Sequence, residues 1–320
     1  MSKVLVVGGA GYIGAHVAQA LVENGYSVRI IDDFSNGLQR RVQGRFKDLL
    51  VGDVLDRESL IRALDGIDSV IHLAAKKSVE ESVANPLKYY ENNVGGTLNL
   101  LAAMSFKKVK KLVFSSTAAV YAPNDKSSID ENDPLDPLSP YGATKLISEE
   151  LIRNVGIAEG ISTISLRYFN VAGSSNIEFG DNSKDNLVPK VFAAIKRGGE
   201  PEIYGDDYPT KDGTCIRDYI HVGDLADSHI AALKKVESSL VHEVYNVGSG
   251  TGYSVQELMN QISEAMSKKL HPIHAPRRAG DIPQLIASIS KIERDLGWRP
   301  KRTLKEMIDS AWESEVGNSE

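Results

Sequence analysis

The opening residues constrain the fold more than any later stretch. Val4–Val7 is a continuous apolar run, the mark of a strand buried on both faces. It breaks at once into Gly8-Gly9-Ala10-Gly11-Tyr12-Ile13-Gly14, and a helical pattern then runs from Tyr12 to Asn24 before Gly25 stops it. The same strand–helix alternation continues. Ser27–Ile31, Asp48–Val51, Ser69–Leu73 and Lys111–Phe114 read as strands. Helices read over Arg57–Leu64 and, opened by Pro86, to Met104. Repeated units of this kind predict an α/β fold of the Rossmann type, a doubly wound parallel sheet covered on both faces.

After Asn170 the pattern loosens. Val171–Asp185 reads as a loop, and helices near Leu187–Arg197, Val222–Val236 and Val255–Ser267 mix with short runs such as Pro201–Tyr204 and Val244–Val247. We expect a dinucleotide-binding domain over 1–170 and a smaller mixed α/β substrate lobe over 171–320, with some segments returning to the first domain. In such sheets ligands bind beyond the carboxyl ends of the strands. Gly8–Gly14, Asp32, Asp53, Ala74–Lys77 and Ser115–Thr117 each follow a predicted strand, so one topology gathers them on one rim.

The balance of charge excludes some partners. A formal net charge of −6 gives no general attraction to nucleic acid or acidic membrane. The apolar run at the start is too short for a signal peptide, and no stretch approaches the ~20 apolar residues of a membrane span. Cys215 is the only cysteine, which excludes an intrachain disulfide and fits a reducing compartment, so a cytoplasmic location is expected. No metal-ligand spacing of Cys or His is present.

The glycine turn suits a dinucleotide. Missing side chains let pyrophosphate approach the backbone, and the helix N-terminus offers amide donors. Gly8, Gly11, Tyr12, Ile13 and Gly14 are its candidate contacts. Asp32, at the end of the second strand, suits ribose hydroxyls and would repel a 2′-phosphate, which favours NAD over NADP. Asp33 is its fallback. Asp53 and Val54 either flank the adenine or, for Asp53, cap the next helix.

Tyr141 and Lys145 stand four residues apart in Ser-Pro-Tyr-Gly-Ala-Thr-Lys, one helical turn. A free phenol titrates near ~10 and is a poor base at neutral pH. A neighbouring ammonium and an oxidised nicotinamide would each favour the phenolate. Thr117 at a strand end can orient the same substrate hydroxyl. Read without the glycine turn, the pair is an ordinary helix-surface pair.

These segments resemble the extended short-chain dehydrogenase/reductase family along nearly the whole chain. The resemblance rests on Gly8–Gly14, His72–Ser82, Asn92-Asn93-Val94, Ser115–Thr117, Tyr141–Lys145, Tyr168-Phe169-Asn170, Asp207–Gly213 and Arg217–Val222. It implies reversible inversion at C4 of a UDP-hexose with NAD as cofactor, and Thr117, Tyr141 and Lys145 in the catalytic roles. Lys77, Asn92 and Tyr168 would meet the cofactor, with Lys77 also near the sugar. Phe169 and Asn170 would lie beside sugar and diphosphate, and Asn186, Arg217, Arg278 and Asp281 would hold UDP. A homodimer through the helices Leu87–Met104 and Tyr141–Glu159 is likewise implied.

Two departures bear on substrate. Tyr121-Ala122-Pro123 replaces a frequent Tyr-Gly. Leu285 stands where many bacterial members resemble one another in carrying tyrosine, and the smaller residue implies room for the 2-N-acetyl group of UDP-GlcNAc or UDP-GalNAc. The neighbouring readings are a sugar-nucleotide 4,6-dehydratase or a UDP-glucuronate decarboxylase. Dehydratases resemble one another in having Asp-Glu after the strand-end threonine, whereas Thr117 precedes Ala118-Ala119. A catalytically silent NAD-sensing protein on the same fold is the reading from another class.

Overall fold

The computed structural model describes residues 2–123, 126–278 and 281–318. The first strands are β1 (Lys3–Val7), β2 (Ser27–Asp32), β3 (Asp48–Val51), β4 (Ser69–His72), β5 (Lys111–Thr117) and β6 (Ser162–Tyr168). Then come β7 (Asn170–Ala172), β8 (Glu202–Tyr204), β9 (Ile216–His221), β10 (His242–Val247), β11 (Gly252–Ser254), β12 (Ile273–Ala275) and β13 (Gln284–Leu285). Seven of them form one parallel sheet in the order β10-β6-β5-β4-β1-β2-β3.

Period-2 alternation explains how the sheet is covered. Val4 and Val6 of β1 join Ile30, Ile71, Val113 and Ile164 on one face, under the helices Tyr12–Glu23 and Val222–Ser238. Leu5 and Val7 join Ile31, Val70, Leu112 and Phe114 on the other, under Arg57–Ala63, Gly96–Lys107 and Pro140–Glu159. A sheet buried on both faces needs these unbroken apolar strands. The strand order reverses between β1 and β4, and that switch point opens the crevice for a ligand.

In the second half β9 is the hub of a smaller sheet. It pairs with β11 antiparallel and with β7 and β13 in parallel, while β8 pairs with β12. The helices Leu187–Lys196, Val255–Ala265 and Leu304–Gly317 pack over it around Val191, Phe192, Leu258 and Ile308.

Three features differ from the sequence expectation. Residues 244–247, expected beside the smaller lobe's elements, belong to β10, which lies against β6 in register His242↔Thr163 to Val247↔Tyr168. The expected loop 171–185 holds the end of β7 and a short 3-10 turn, Ile177–Phe179. Their partners are distant in sequence: β7 pairs with β9, and buried Phe179 packs edge-on against His16, ring centroids 5.3 Å apart. The long helix from Pro86 runs to Lys107 but widens into a π-helical stretch at Tyr90–Gly95. Such stretches mark functional sites often.

Candidate active site

The glycine turn is built by close approach. Gly8 has φ +84, and a Cβ there would lie 2.6 Å from the Ala74 amide nitrogen. A Cβ on Gly14 would lie 2.1 Å from the Gly8 carbonyl oxygen, so the turn closes only with glycine at both positions. Gly11 is the N-cap of the helix Tyr12–Glu23 and brings no side-chain cap, and the first turn holds no acidic residue. The free amides at this terminus therefore face the cleft with positive partial charge. A glycine cradle, uncapped donors and an adjacent crevice fit a dinucleotide.

Two connected clefts extend from that turn. The smaller is lined by Gly8, Gly11, Asp32, Asp53, Val54 and Asn92. The larger, about 700 Å³, is lined by Gly11 to Gly14, Lys77, Tyr168 and the segment 181–185. Asp32 accepts hydrogen bonds from the Ala10 and Phe34 amides, at 2.8 and 2.9 Å. Burial raises its pKa against those two bonds. Its carboxylate thus fixes the turn while still lining the cleft. Asp53 accepts from the Leu55 amide at 2.9 Å, and the cap of the next helix is Asp56 instead. Asn92 lies in the π-helical stretch and donates to Asn93 at 3.1 Å; Asn93 in turn holds the Lys76 backbone and Thr144.

A further cleft of about 400 Å³ adjoins the turn at Tyr12 and Ile13. It gathers Lys77, Thr117, Tyr141, Tyr168, Phe169, Asn170, Asn186, Arg217, Arg278, Asp281 and Leu285. These come from both halves of the chain. Tyr141 sits in the first turn of the helix Pro140–Glu159, which Ser139 caps by accepting from the Gly142 amide. A Cβ on Gly142 would lie 2.3 Å from the Ala119 carbonyl oxygen. Glycine there lets the helix start press onto the turn after β5, and Tyr141 stands beside the Thr117 side chain, both lining the same cleft.

Lys145, one helical turn on from Tyr141, is anchored in the interior. Its ammonium is buried, donates to the Ser115 carbonyl at 2.8 Å and lies 4.8 Å from the centre of the Phe114 ring. Burial lowers its pKa to about 7, with Glu149 opposing the shift. Burial likewise raises the Tyr141 pKa, with the Thr117 side chain opposing, and Lys145 is not among the groups that set it. In the protein alone desolvation acts on both groups. Lys145 lines none of the three clefts described above; it lies beneath them.

A buried ion pair stiffens this floor. Glu149, one turn beyond Lys145, accepts from Arg167 Nε at 3.0 and 3.2 Å and from its terminal nitrogen at 2.6 Å. Ser116 donates to the same carboxylate, and Arg167 donates to the Tyr121 hydroxyl at 3.1 Å. Tyr168 and Ser115 share a further hydroxyl–hydroxyl bond.

On the far wall, Arg217 binds Asp281 at 3.1 Å and donates to the Ile216 and Ile282 carbonyls. Lys77 donates to Asn186 at 3.3 Å, joining the two walls, and Asn186 donates to Asp181 at 2.6 Å. Asn170 donates to the Asp218 carbonyl at 3.2 Å. Leu285 pairs with Arg217 in the sheet and packs beside Phe169 and Tyr121. Sequence reasoning missed Tyr204, whose ring lies 3.9 Å under the Arg278 guanidinium at the cleft's edge. The one available signal was an aromatic ending a short strand before Gly205. It also missed Arg41, buried against the glycine turn.

A family model for NAD dependent epimerases and dehydratases matches residues 4–248. The chain belongs to that family. It is 43% identical to the UDP-glucose 4-epimerase of Bacillus subtilis (strain 168), over 98% of this chain and 97% of that one. Among solved structures, the Bifidobacterium longum UDP-glucose 4-epimerase in complex with NAD+ and UDP superposes with a TM-score of 0.91 at 37% identity, covering 99% of each chain. The UDP-Glc/GlcNAc 4-epimerase of Campylobacter jejuni does so with 0.88 at 36% identity, over 99% of this chain and 100% of that one. The family sheet and crevice are thus present in full. Among the described residues no helix is long and apolar enough to cross a membrane.

Proposed function

We propose that this protein interconverts UDP-glucose and UDP-galactose by inverting the configuration at C4. The observation that carries the reading is the position of the Tyr141–Thr117 hydroxyl pair. It stands where the glycine-turn crevice meets the cleft lined by Arg217, Arg278 and Asn186. A sugar alcohol held there faces both an acid/base group and a redox cofactor.

The roles follow from the chemistry of each group. The chemistry that NAD supplies when bound is reversible acceptance of the C4 hydride. Gly8, Gly11, Tyr12, Ile13 and Gly14 would hold its diphosphate region, Asp32 a ribose, and Asp53, Val54 and Asn92 the adenosine end. Tyr141 takes the 4′-hydroxyl proton and returns it, with Thr117 orienting that hydroxyl. Burial alone makes Tyr141 a reluctant phenolate, so the base forms only when the loaded site supplies positive charge. Lys145 from beneath the cleft and Tyr168 from its lining would shape the nicotinamide end. Arg217 and Arg278, with Asn186 and Asp281, clamp UDP, since guanidinium groups suit a diphosphate. Lys77, Phe169 and Asn170 border the sugar. That remote hold is what lets a 4-keto hexose turn over without leaving.

Dehydration is disfavoured because Ala118 and Ala119 line the cleft beside Thr117, where a carboxylate would be needed. Leu285 leaves space near the sugar, and we include UDP-GlcNAc and UDP-GalNAc as a second substrate pair. Residues 1–170 act as the cofactor half and 171–320 as the substrate half, with β10 and the helix Val222–Ser238 returning. A homodimer is supported by apolar side chains left open on the two helices concerned, Leu87 (83% exposed), Leu98 and Ile147. The free, buried Cys215 supports a cytoplasmic place of work.

The test is conversion of UDP-galactose and UDP-GalNAc, side by side, with products resolved by chromatography. UDP-glucose from UDP-galactose is expected. A 4-keto-6-deoxy product would overturn the reading, and absence of UDP-GlcNAc would remove the second pair.

A further inference from the structure

Arg41 is a buried cation that the reaction just described does not use. Its side chain is among the largest fully buried ones, with the residue 1% exposed. It follows the second strand on a short helical turn, Gln39–Val42. One terminal nitrogen donates to the Ala10 carbonyl of the glycine turn at 3.4 Å. The other donates to the Gly180 carbonyl at 2.5 Å and to Asn182 Oδ1 at 2.8 Å. Its Nε is buried with no partner. Among the described residues no carboxylate pairs with it; Asp181 and Asp32 act on it only at longer range.

A guanidinium taken out of water without a counter-charge is costly. Burial accordingly lowers its pKa to about 10. Its surroundings suggest where the missing anion belongs. Arg41 lines the same cleft as Gly11, Tyr12 and Ile13, and the opposite wall of that cleft is the segment 181–185. Nearby, Arg45 pairs with Glu178 and lies 5.3 Å from the Phe179 ring, which gives the two segments a second attachment.

We propose that Arg41 retains the dinucleotide, by bridging the glycine turn to the covering segment 180–182 and by placing a buried positive charge beside the diphosphate. The cofactor leaves only when that bridge breaks. This rests on the NAD reading above, and its test is separable from it. Wild-type protein is loaded with radiolabelled NAD, chased with excess unlabelled NAD, and the bound label is followed by filter binding. Failure of the wild type to hold label would count against the NAD reading. For Arg41→Met, release about tenfold or more faster is expected from the loss of charged hydrogen bonds, with circular dichroism unchanged. Unchanged release from folded Arg41→Met would overturn the proposal. Should that variant fail to fold, Asn182→Ala decides. It removes one of the two contacts that Arg41 makes with the covering segment and leaves the glycine turn intact; release about threefold faster is expected, and unchanged release would overturn the proposal.

Discussion

Replacing Glu149 by glutamine isolates the energetics beneath the active site. The Glu149 and Arg167 side chains are only 6% and 4% exposed, and the carboxylate takes three bonds from the guanidinium, at 2.6, 3.0 and 3.2 Å. Glutamine keeps the shape but turns an NH2 toward the guanidinium and leaves Arg167 a buried charge without its counter-ion. Breaking such a pair costs about 3–5 kcal/mol. For a chain of this size each kcal/mol shifts the melting temperature by about 2 °C, so a fall of about 6–10 °C is expected. The assay is calorimetry at one scan rate, with NAD saturating in every sample. The double variant Glu149→Leu/Arg167→Met separates pairing from packing, because an apolar pair of similar volume is nearly neutral. It should recover at least about half of the loss. A Glu149→Gln protein melting within about 2 °C of wild type, or a double variant no better than the single one, would refute the reasoning.

Three further outcomes are expected. Tyr141→Phe removes the proton-transferring oxygen and should lower kcat by about 10²–10⁴ while leaving UDP affinity within a few-fold; calorimetric titration and a turnover assay check both, and an active variant ends the assigned role. Arg217→Leu strips the charged hydrogen bonds from the UDP side and leaves Asp281 unpaired, so UDP should bind about ten to a hundredfold more weakly, with kcat much less affected; a kcat loss with unchanged KM would count against it. In the cofactor-free protein, the folded-state pKa of Lys145, about 7, lies below its unfolded value of about 10.4. Between those values the unfolded chain binds the extra proton, so stability should rise with pH from about 7 to 9.5, and Lys145→Met should flatten that slope in urea titrations; equal slopes would refute the assignment.

Much of this site is legible in the chain because its parts follow strand ends. Gly8–Gly14, Thr117 and the Tyr141 turn each announce themselves by local pattern, and a parallel sheet carries them to one rim without further information. What stays hidden depends on groups far apart in sequence. β10 reads as an isolated apolar run until Thr163–Tyr168 supplies its partner. The charge state of Lys145 depends on depth of burial and on the Ser115 carbonyl, and spacing reports neither. Arg41 resembles any surface arginine after a strand; only the return of Gly180 and Asn182 encloses it. The sequence shows the Asp32 carboxylate at a strand end, and the structure adds that both of its oxygens already accept from backbone amides.

The place of β10 in the sheet has a consequence for how the chain is made. During synthesis β6 emerges 79 residues ahead of its outer neighbour, by the register Thr163↔His242. For that interval the edge of β6 presents unpaired backbone donors and acceptors, a template for any passing extended segment. The nascent N-terminal half is therefore most exposed to misassociation and to chaperone capture just after Tyr168 leaves the ribosome. The hazard closes when residues 242–247 dock.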